Sequence, residues 1–218
     1  MKIPPLVNTP LALNTDEMRR YSRQTVIPDV STQGQGRLKN AKVVCIGAGG
    51  LGSPILMYLA SAGVGTIGIV EFDTVDESNL QRQIIYGQGD VGKSKVDIAS
   101  KKITEINPLV NVITHNLKLD NSNAMEIFKD YDLVIDGTDN FATRYLINDA
   151  CVILNKPCIW GSVLRFDGQV SVSGLNTVLV TAVYIQYHRV THKVVLRLVY
   201  WESYVHPLAL FKRRKQLN

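Results

Sequence analysis

Apolar residues along the chain form short continuous runs, and glycine-rich turns separate them from longer segments of helical length. Residues 43–46 form one such run, residues 51–62 form an apolar segment long enough for a helix, and residues 66–72 form a second run. Parallel strands that are buried on both faces are expected to read as continuous apolar runs. The pattern therefore predicts a strand, a glycine turn, a helix and a second strand.

The same alternation continues to residue 172. Helices are predicted over residues 94–106, 122–129 and 141–154, and strands over residues 110–116, 132–136, 158–163 and 168–172. Before the first strand, Thr15, Asp16 and Glu17 indicate a helix start, and residues 33–40 read as a polar connection. We therefore expect an α/β fold: a Rossmann-like, doubly wound, mostly parallel sheet with helices on both faces and an incomplete C-terminal sheet.

Composition limits the chain to one ordinary domain. It has 218 residues, of which 45% are hydrophobic and 20% are charged. Residues 43–70 carry no charge, but seven glycines interrupt them, so a membrane helix is not expected. Residues 1–14 lack the pattern of a secretory signal, and the default expectation is a cytoplasmic protein. We expect an N-terminal arm and helix over residues 1–40, a nucleotide-binding domain over 41–172 and a divergent tail over 173–218.

The net charge of +5 does not predict nucleic-acid binding, because it is concentrated at one end. Residues 173–218 carry a net charge of +6, which leaves −1 for the rest of the chain. Cys45, Cys151 and Cys158 lie in apolar contexts without a C-x-x-C pair, so we expect buried free thiols.

A glycine loop follows the first strand and suggests a phosphate site. Gly47, Gly49, Gly50 and Gly52 fall between that strand and the following helix, where backbone N–H groups and a helix N-terminus can approach phosphate. The loop suits a dinucleotide as well as ATP. An acidic residue near the end of the second strand, Glu71 or Asp73, could hold the ribose of either one.

Charged residues downstream favour nucleotidyl transfer over hydride transfer. Asn79, Arg82, Lys93 and Lys95 come between the second strand and the next helix, where they can neutralise a triphosphate. Asp139, at the end of a later strand, is placed for a magnesium ion. Taken singly, each of these residues also has a structural interpretation, and Asp139 could cap the following helix. Their joint order favours function.

These residues fall into segments whose order is characteristic of one family. The segments are Arg20 to Gln24, the loop from Gly47 to Gly52, Glu71-Phe72-Asp73, Ser78 to Gln83, Lys95, and Asp136 to Asn140. Together they resemble the ThiF/MoeB adenylyltransferases, which are relatives of ubiquitin-activating enzymes. The resemblance extends from about residue 18 to about residue 172.

The resemblance implies a role for each residue of these segments. The glycines would approach ATP through the backbone, and Glu71 would hold the ribose, although the family more often has Asp there and Asp73 remains an alternative. Asn79, Arg82 and Lys95 would contact the phosphates, and Asp139, with Asn140 beside it, would hold Mg²⁺. Ser78, Leu80 and Gln81 belong to the same nucleotide-binding segment. Arg144 is interpreted as structural.

The resemblance also implies an activity and partners. The C-terminal glycine carboxylate of a ubiquitin-like sulfur carrier would attack the α-phosphate of ATP, giving an acyl-adenylate and pyrophosphate. Arg23 would reach the ATP of a neighbouring subunit, which implies a homodimer. A zinc ion is expected in the family, but its ligands are absent from this chain. Two other hypotheses are an ATP-binding remnant with impaired turnover and an NAD-dependent oxidoreductase.

The tail from Ser173 onward departs from the family pattern and suggests a frameshift. Reading residues 194–218 in a shifted frame permits SCAEAGVLGILCASIGSIQATKAIK, which resembles the family continuation. Loss of one base near the codon of Val172 would then have removed a cysteine pair of zinc-ligand spacing and a candidate acceptor cysteine. The alternative is a divergent, strand-forming C-terminus, which the valine content of the tail would suit.

Overall fold

A six-stranded sheet lies at the centre of the computed structural model, which describes residues 5–174. Its strands are β1 (Lys42–Ile46), β2 (Thr66–Val70), β3 (Asn111–His115), β4 (Leu133–Asp136), β5 (Cys158–Leu164) and β6 (Asp167–Ser173). They lie in the order β3-β2-β1-β4-β5-β6; β1 to β5 are parallel and β6 is antiparallel to β5. The predicted Rossmann-like fold is confirmed. The expected incomplete C-terminal sheet and the proposed frameshift concern the tail over residues 173–218, which lies outside the described part of the chain except for Ser173 and Gly174.

Helices cover both faces of the sheet. The helices are α1 (Thr15–Arg20), α2 (Ser22–Thr25), α3 (Ser31–Asn40), α4 (Gly52–Ala62), α5 (Lys95–Ile106), α6 (Ala124–Phe128) and α7 (Phe141–Ile153). On one face, Leu56 of α4 and Ile103 of α5 pack in a core with Ile67 of β2. On the other, Phe128 of α6 and Ile147 of α7 pack in a second core against β1 and β4. The sheet is thus buried on both sides, as the continuous apolar runs predict.

The prediction of a polar connection over residues 33–40 was wrong, because α3 covers them. This helix has no apolar stripe; tertiary contacts hold it instead. Gln35 is fully buried and its amide donates to the backbone oxygen of Ala62 at 2.9 Å. Gly36 lies so close to the N-terminal arm that a Cβ there would be 2.5 Å from the backbone oxygen of Leu11. Helices often owe their stability to such packing rather than to local propensity.

The N-terminal helices pack against the end of the domain formed by the C-termini of α4 and α5. The Tyr21 hydroxyl accepts a hydrogen bond from Asn107 at 2.8 Å, and Gln24 donates to the backbone oxygen of Ala62 at 3.3 Å. This end lies beside the amino ends of the strands. Arg23, on α2, is therefore held on the side of the domain away from the carboxyl ends of the strands.

Cys45, Cys151 and Cys158 are free and buried, as predicted. Burial raises the pKa of the Cys45 thiol to about 12, with smaller contributions from Asp136 and Glu71. Of the helices within residues 5–174, none has the length and apolar character needed to cross a bilayer.

Candidate active site

A cavity of about 710 Å³ opens where the parallel strands end. Such a crevice, at the carboxyl edge where the strand order reverses, is the usual ligand site of doubly wound sheets. Ten of the predicted site residues line it: Gly47, Gly49, Gly50, Glu71, Asp73, Asn79, Arg82, Lys95, Asp139 and Asn140. Segments far apart in sequence therefore meet in one site.

The glycine loop brings the backbone and the start of α4 to the cavity. Gly47 has a φ of +88°, which favours glycine, and a Cβ there would be 3.3 Å from the Gly137 oxygen. Gly52 faces the loop rather than the cavity, because a Cβ there would be 2.0 Å from the Gly47 oxygen. No side chain caps α4 within the described residues, so its positive end is available to an anion.

Glu71 is the buried carboxylate at the end of β2, and it is anchored by the backbone. One oxygen accepts from the N–H of Ala48 at 3.0 Å; the other accepts from Phe72 at 2.8 Å and Asp73 at 3.0 Å. Three of its roughly four lone-pair positions are thus used. Glu71 ties the glycine loop to β2 and retains room for about one further donor.

Four cationic side chains line the cavity, and the sequence predicts two of them, Arg82 and Lys95, as phosphate ligands; the other two are Lys118 and Arg144. The Lys95 side chain is 7% exposed and its ammonium lies 3.4 Å from the Asp73 carboxylate, which is 54% exposed. Arg82 follows a short 3-10 helix, Glu77–Asn79, and its guanidinium donates to the backbone oxygen of Ser78 at 3.2 Å. Cationic groups are therefore in place at the cavity beside its carboxylates.

Asp139 lines the cavity from the loop between β4 and α7, and it is exposed. Asn140, rather than Asp139, caps this helix, because its side-chain oxygen accepts from the N–H of Thr143 at 2.9 Å. Within residues 5–174 the Asp139 carboxylate makes no side-chain hydrogen bond, so capping does not occupy it.

Asp136 lies beneath this loop and is 2% exposed. Burial raises the pKa of its carboxyl, against hydrogen bonds from Thr138 and the charge of Arg144. It supports the loop from below.

Five predicted residues do not line the cavity: Gly52, Ser78, Leu80, Gln81 and Arg23. The Ser78 hydroxyl and N–H both bond to Asp76, and Leu80 packs against the apolar core. The Gln81 side chain is exposed and accepts from Arg82 at 3.2 Å. These side chains shape the segment that presents Asn79 and Arg82.

The structure adds lining residues to which the sequence assigned no role in the site. They include Gln83, Leu117, Leu119, Thr138 and Ser162, and also Arg144, which was interpreted from the sequence as structural. Arg144 is buried and lies one turn into α7, so its spacing from Asp139 was the available signal for a place in the site. Leu117 and Leu119 follow β3, and apart from this position after a strand nothing in the sequence indicated that they line the cavity.

Comparison with known proteins agrees with this geometry. The model of the ThiF family matches residues 21–187. The chain belongs to the ThiF family. The match continues past Val172 onto residues outside the described part of the chain.

Curated relatives extend the ThiF assignment. The chain is 62% identical over 170 residues to a probable adenylyltransferase/sulfurtransferase MoeZ of Mycobacterium tuberculosis, covering 78% of this chain and 43% of that protein. It is 52% identical over 157 residues to a sulfur carrier protein adenylyltransferase of Thermus thermophilus, covering 72% and 58%. The chain thus spans about half the length of the curated relatives it matches.

Solved structures share the ThiF-type fold. The crystal structure of PaaA aligns with a TM-score of 0.68 at 29% identity, covering 77% of this chain and 54% of that one. A crystal structure of Escherichia coli MccB with MccA aligns with a TM-score of 0.64 at 27% identity, covering 73% and 47%.

Proposed function

We propose that this chain transfers the adenylyl group of ATP to the C-terminal glycine carboxylate of a ubiquitin-like sulfur carrier. The observation that carries the proposal is the cavity itself, which combines a glycine loop, an uncapped helix N-terminus, Arg82 and Lys95 with the free carboxylate of Asp139. The names of the relatives, which include a sulfur carrier protein adenylyltransferase, support the same acceptor.

The order of the lining residues suggests how ATP would lie. The base would rest near Leu117 and Leu119, beyond β3, and the ribose near Glu71 or Asp73. The phosphates would then follow the glycine loop toward Arg82 and Lys95, with Asn79 beside them. Residues 41–172 would thus form the nucleotide-binding domain.

The reaction would need positioning and charge neutralisation rather than a general base. A glycine carboxylate is ionised at neutral pH, so its oxygen can attack the α-phosphorus directly. A new C–O–P bond forms, the bond from the α-phosphorus to its bridging oxygen breaks, and pyrophosphate leaves with that electron pair. Arg82 and Lys95 would neutralise the charge that keeps two anions apart.

The carboxylate of Asp139 suits Mg²⁺. Magnesium is usually held by one or two carboxylates together with substrate phosphates, and a single free carboxylate facing a triphosphate site fits that pattern. Bound there, the ion would supply further neutralisation of phosphate charge. Within residues 5–174, no cluster of three or more metal-binding side chains occurs.

Arg23 supports a homodimer within the proposal. It lies on the side of the domain away from the cavity, so it would reach ATP only from another copy of the chain. A homodimer acting in the cytoplasm, where ATP is available, is the assembly we infer.

Substitution of Arg82 tests the proposal. Removing one preorganised phosphate contact commonly costs about 3 kcal/mol, so Arg82→Ala should lower carrier-dependent ATP–pyrophosphate exchange about a hundredfold. Arg19→Ala is the matched control, because the Arg19 side chain is 83% exposed and, within residues 5–174, its ion pair is with Asp16. If Arg82→Ala kept full pyrophosphate exchange, Arg82 would not be a phosphate ligand.

Binding measurements on the unsubstituted chain separate the other hypotheses. Calorimetric binding of ATP without any exchange would indicate an ATP-binding remnant. Binding of NAD in place of ATP would favour oxidoreduction.

A further inference from the structure

Arg144 joins two segments beside the cavity, the loop after β4 and the strand β5. It is 7% exposed and lines the cavity from α7. One terminal nitrogen, Nη2, donates to the backbone oxygen of Thr138 at 2.6 Å and to that of Gly161 at 2.7 Å. Its guanidinium also lies over the Trp160 ring, 5.6 Å from the centroid. Arg144 thus connects the loop after β4 to the middle of β5.

These contacts fix the backbone on both sides of Asp139. Thr138 is held through its carbonyl by Arg144, while its N–H and hydroxyl donate to Asp136 at 2.8 Å and 2.7 Å. Asn140 is held as the cap of α7. Asp139 therefore lies between two anchored residues although its own carboxylate is exposed.

Arg144 makes this bridge although one of its donors is left without a partner. Its Nε is buried and has no hydrogen-bond partner among residues 5–174. An unpaired buried polar group usually costs about 1–3 kcal/mol. The two hydrogen bonds from Nη2 hold the guanidinium next to the cavity despite that cost.

We propose that Arg144 is a positioning residue that fixes Asp139 for the metal-bound triphosphate, an inference that rests on the proposed function. Arg144 acts through the Thr138 carbonyl and does not itself touch the reacting atoms. Without the bridge, the loop would hold the Asp139 carboxylate in several orientations. The Mg²⁺-dependent part of ATP binding would weaken, whereas metal-free ATP binding would not.

The experiment compares Arg144→Lys and Arg144→Met in the full chain, with ATP affinity measured by calorimetry with and without Mg²⁺. Lysine can donate to both carbonyls from one ammonium group, so it should retain part of the effect, whereas methionine keeps only the apolar stem. Loss of a residue that orients a metal ligand costs about 10–100-fold in affinity. We expect about tenfold loss of the Mg²⁺-dependent tightening in Arg144→Met, a smaller loss in Arg144→Lys, and unchanged metal-free binding.

Two controls distinguish positioning from a structural role. Arg37→Met removes another arginine with a buried, unpartnered Nε, but one on α3 outside the cavity lining, and should leave the Mg²⁺ dependence unchanged. In an Asp139→Asn background, Arg144→Met should add no further loss, because both act on the same carboxylate.

Three results would overturn the inference: full Mg²⁺-dependent tightening in Arg144→Met, additive losses in the double variant, or unfolding of both Arg144 variants in circular dichroism. Each can occur while the unsubstituted chain still binds ATP and exchanges pyrophosphate. Failure of the proposed function would instead appear in the unsubstituted chain itself, as the absence of carrier-dependent pyrophosphate exchange.

Discussion

At the residue scale, Glu71 and Asp73 carry similar carboxylates in different surroundings. Glu71 is anchored by three backbone N–H groups, whereas Asp73 is half exposed and pairs with Lys95. Glu71→Gln would place an amide N–H₂ group against at least one of these backbone N–H donors. That backbone N–H would lose its acceptor, and an unsatisfied buried donor costs about 1–3 kcal/mol. We expect ATP affinity, measured by calorimetry, to fall about tenfold or more.

Asp73→Asn is the matched variant, since it removes the same charge two residues away. The Asp73 carboxylate is half exposed and solvent screens its charge, so the effect on ATP affinity should stay within about threefold. A larger loss for Asp73→Asn than for Glu71→Gln would make Asp73 the ribose ligand.

The sequence could predict which residues reach the site but not how their polar atoms are used. The glycine loop, Arg82, Lys95 and Asp139 follow from their positions after strands. That Asn140 caps α7 and that Arg144 bridges two carbonyls depends on lone pairs and rotamers fixed only by packing. The spacing of residues along the chain does not reveal these hydrogen bonds.

At the element scale, α1 is fixed by one buried carboxylate. Glu17 accepts from the N–H of Asn14 and from the Lys39 ammonium, both at 2.7 Å. Burial alone would raise the pKa of Glu17, but hydrogen bonds from Lys39 and Asn14 and the charge of Lys39 lower it below its usual value. The ionised form is therefore favoured by folding.

This pKa shift predicts a pH dependence of stability. A lowered folded-state pKa contributes stability above the unfolded value, about 4.3 for Glu, and the contribution is lost as the pH falls through the folded value. Glu17→Gln should lower the free energy of unfolding in urea by about 1 kcal/mol at neutral pH, because the hydrogen bond to a charged partner weakens. The difference from the unsubstituted chain should disappear below the folded pKa.

Glu105→Gln is the control, because its pairs with Lys101 and Lys102 are exposed. It should change stability by less than about 0.5 kcal/mol. A Glu17→Gln difference that persisted in acid would mean that packing, not charge, fixes α1. Tertiary packing also explains why the sequence pattern did not predict α3. Gln35 and Gly36 of this helix are buried by contacts with other segments, and the helix has no apolar stripe.

At the scale of the whole molecule, the mostly parallel, doubly wound sheet was predictable because buried strands, glycine turns and helices recur in a fixed alternation. Contacts between copies of the chain were not predictable from periodicity, because they depend on the shape and chemistry of the surface. Arg23 is an example. Its position on α2, anchored through Tyr21 and Gln24, separates it from the cavity of its own chain.

Mixing two inactive variants tests whether Arg23 acts between copies. Arg23→Ala keeps an intact Asp139 but supplies no arginine, and Asp139→Asn supplies the arginine but lacks the carboxylate. In randomly reassociated dimers about half are mixed, and one of the two sites in each mixed dimer is intact, so exchange should recover to about a quarter of the unsubstituted level. Unmixed samples of each variant set the baseline. Recovery no greater than their average would mean that Arg23 does not act across subunits, and full activity of Arg23→Ala alone would show that the arginine is dispensable.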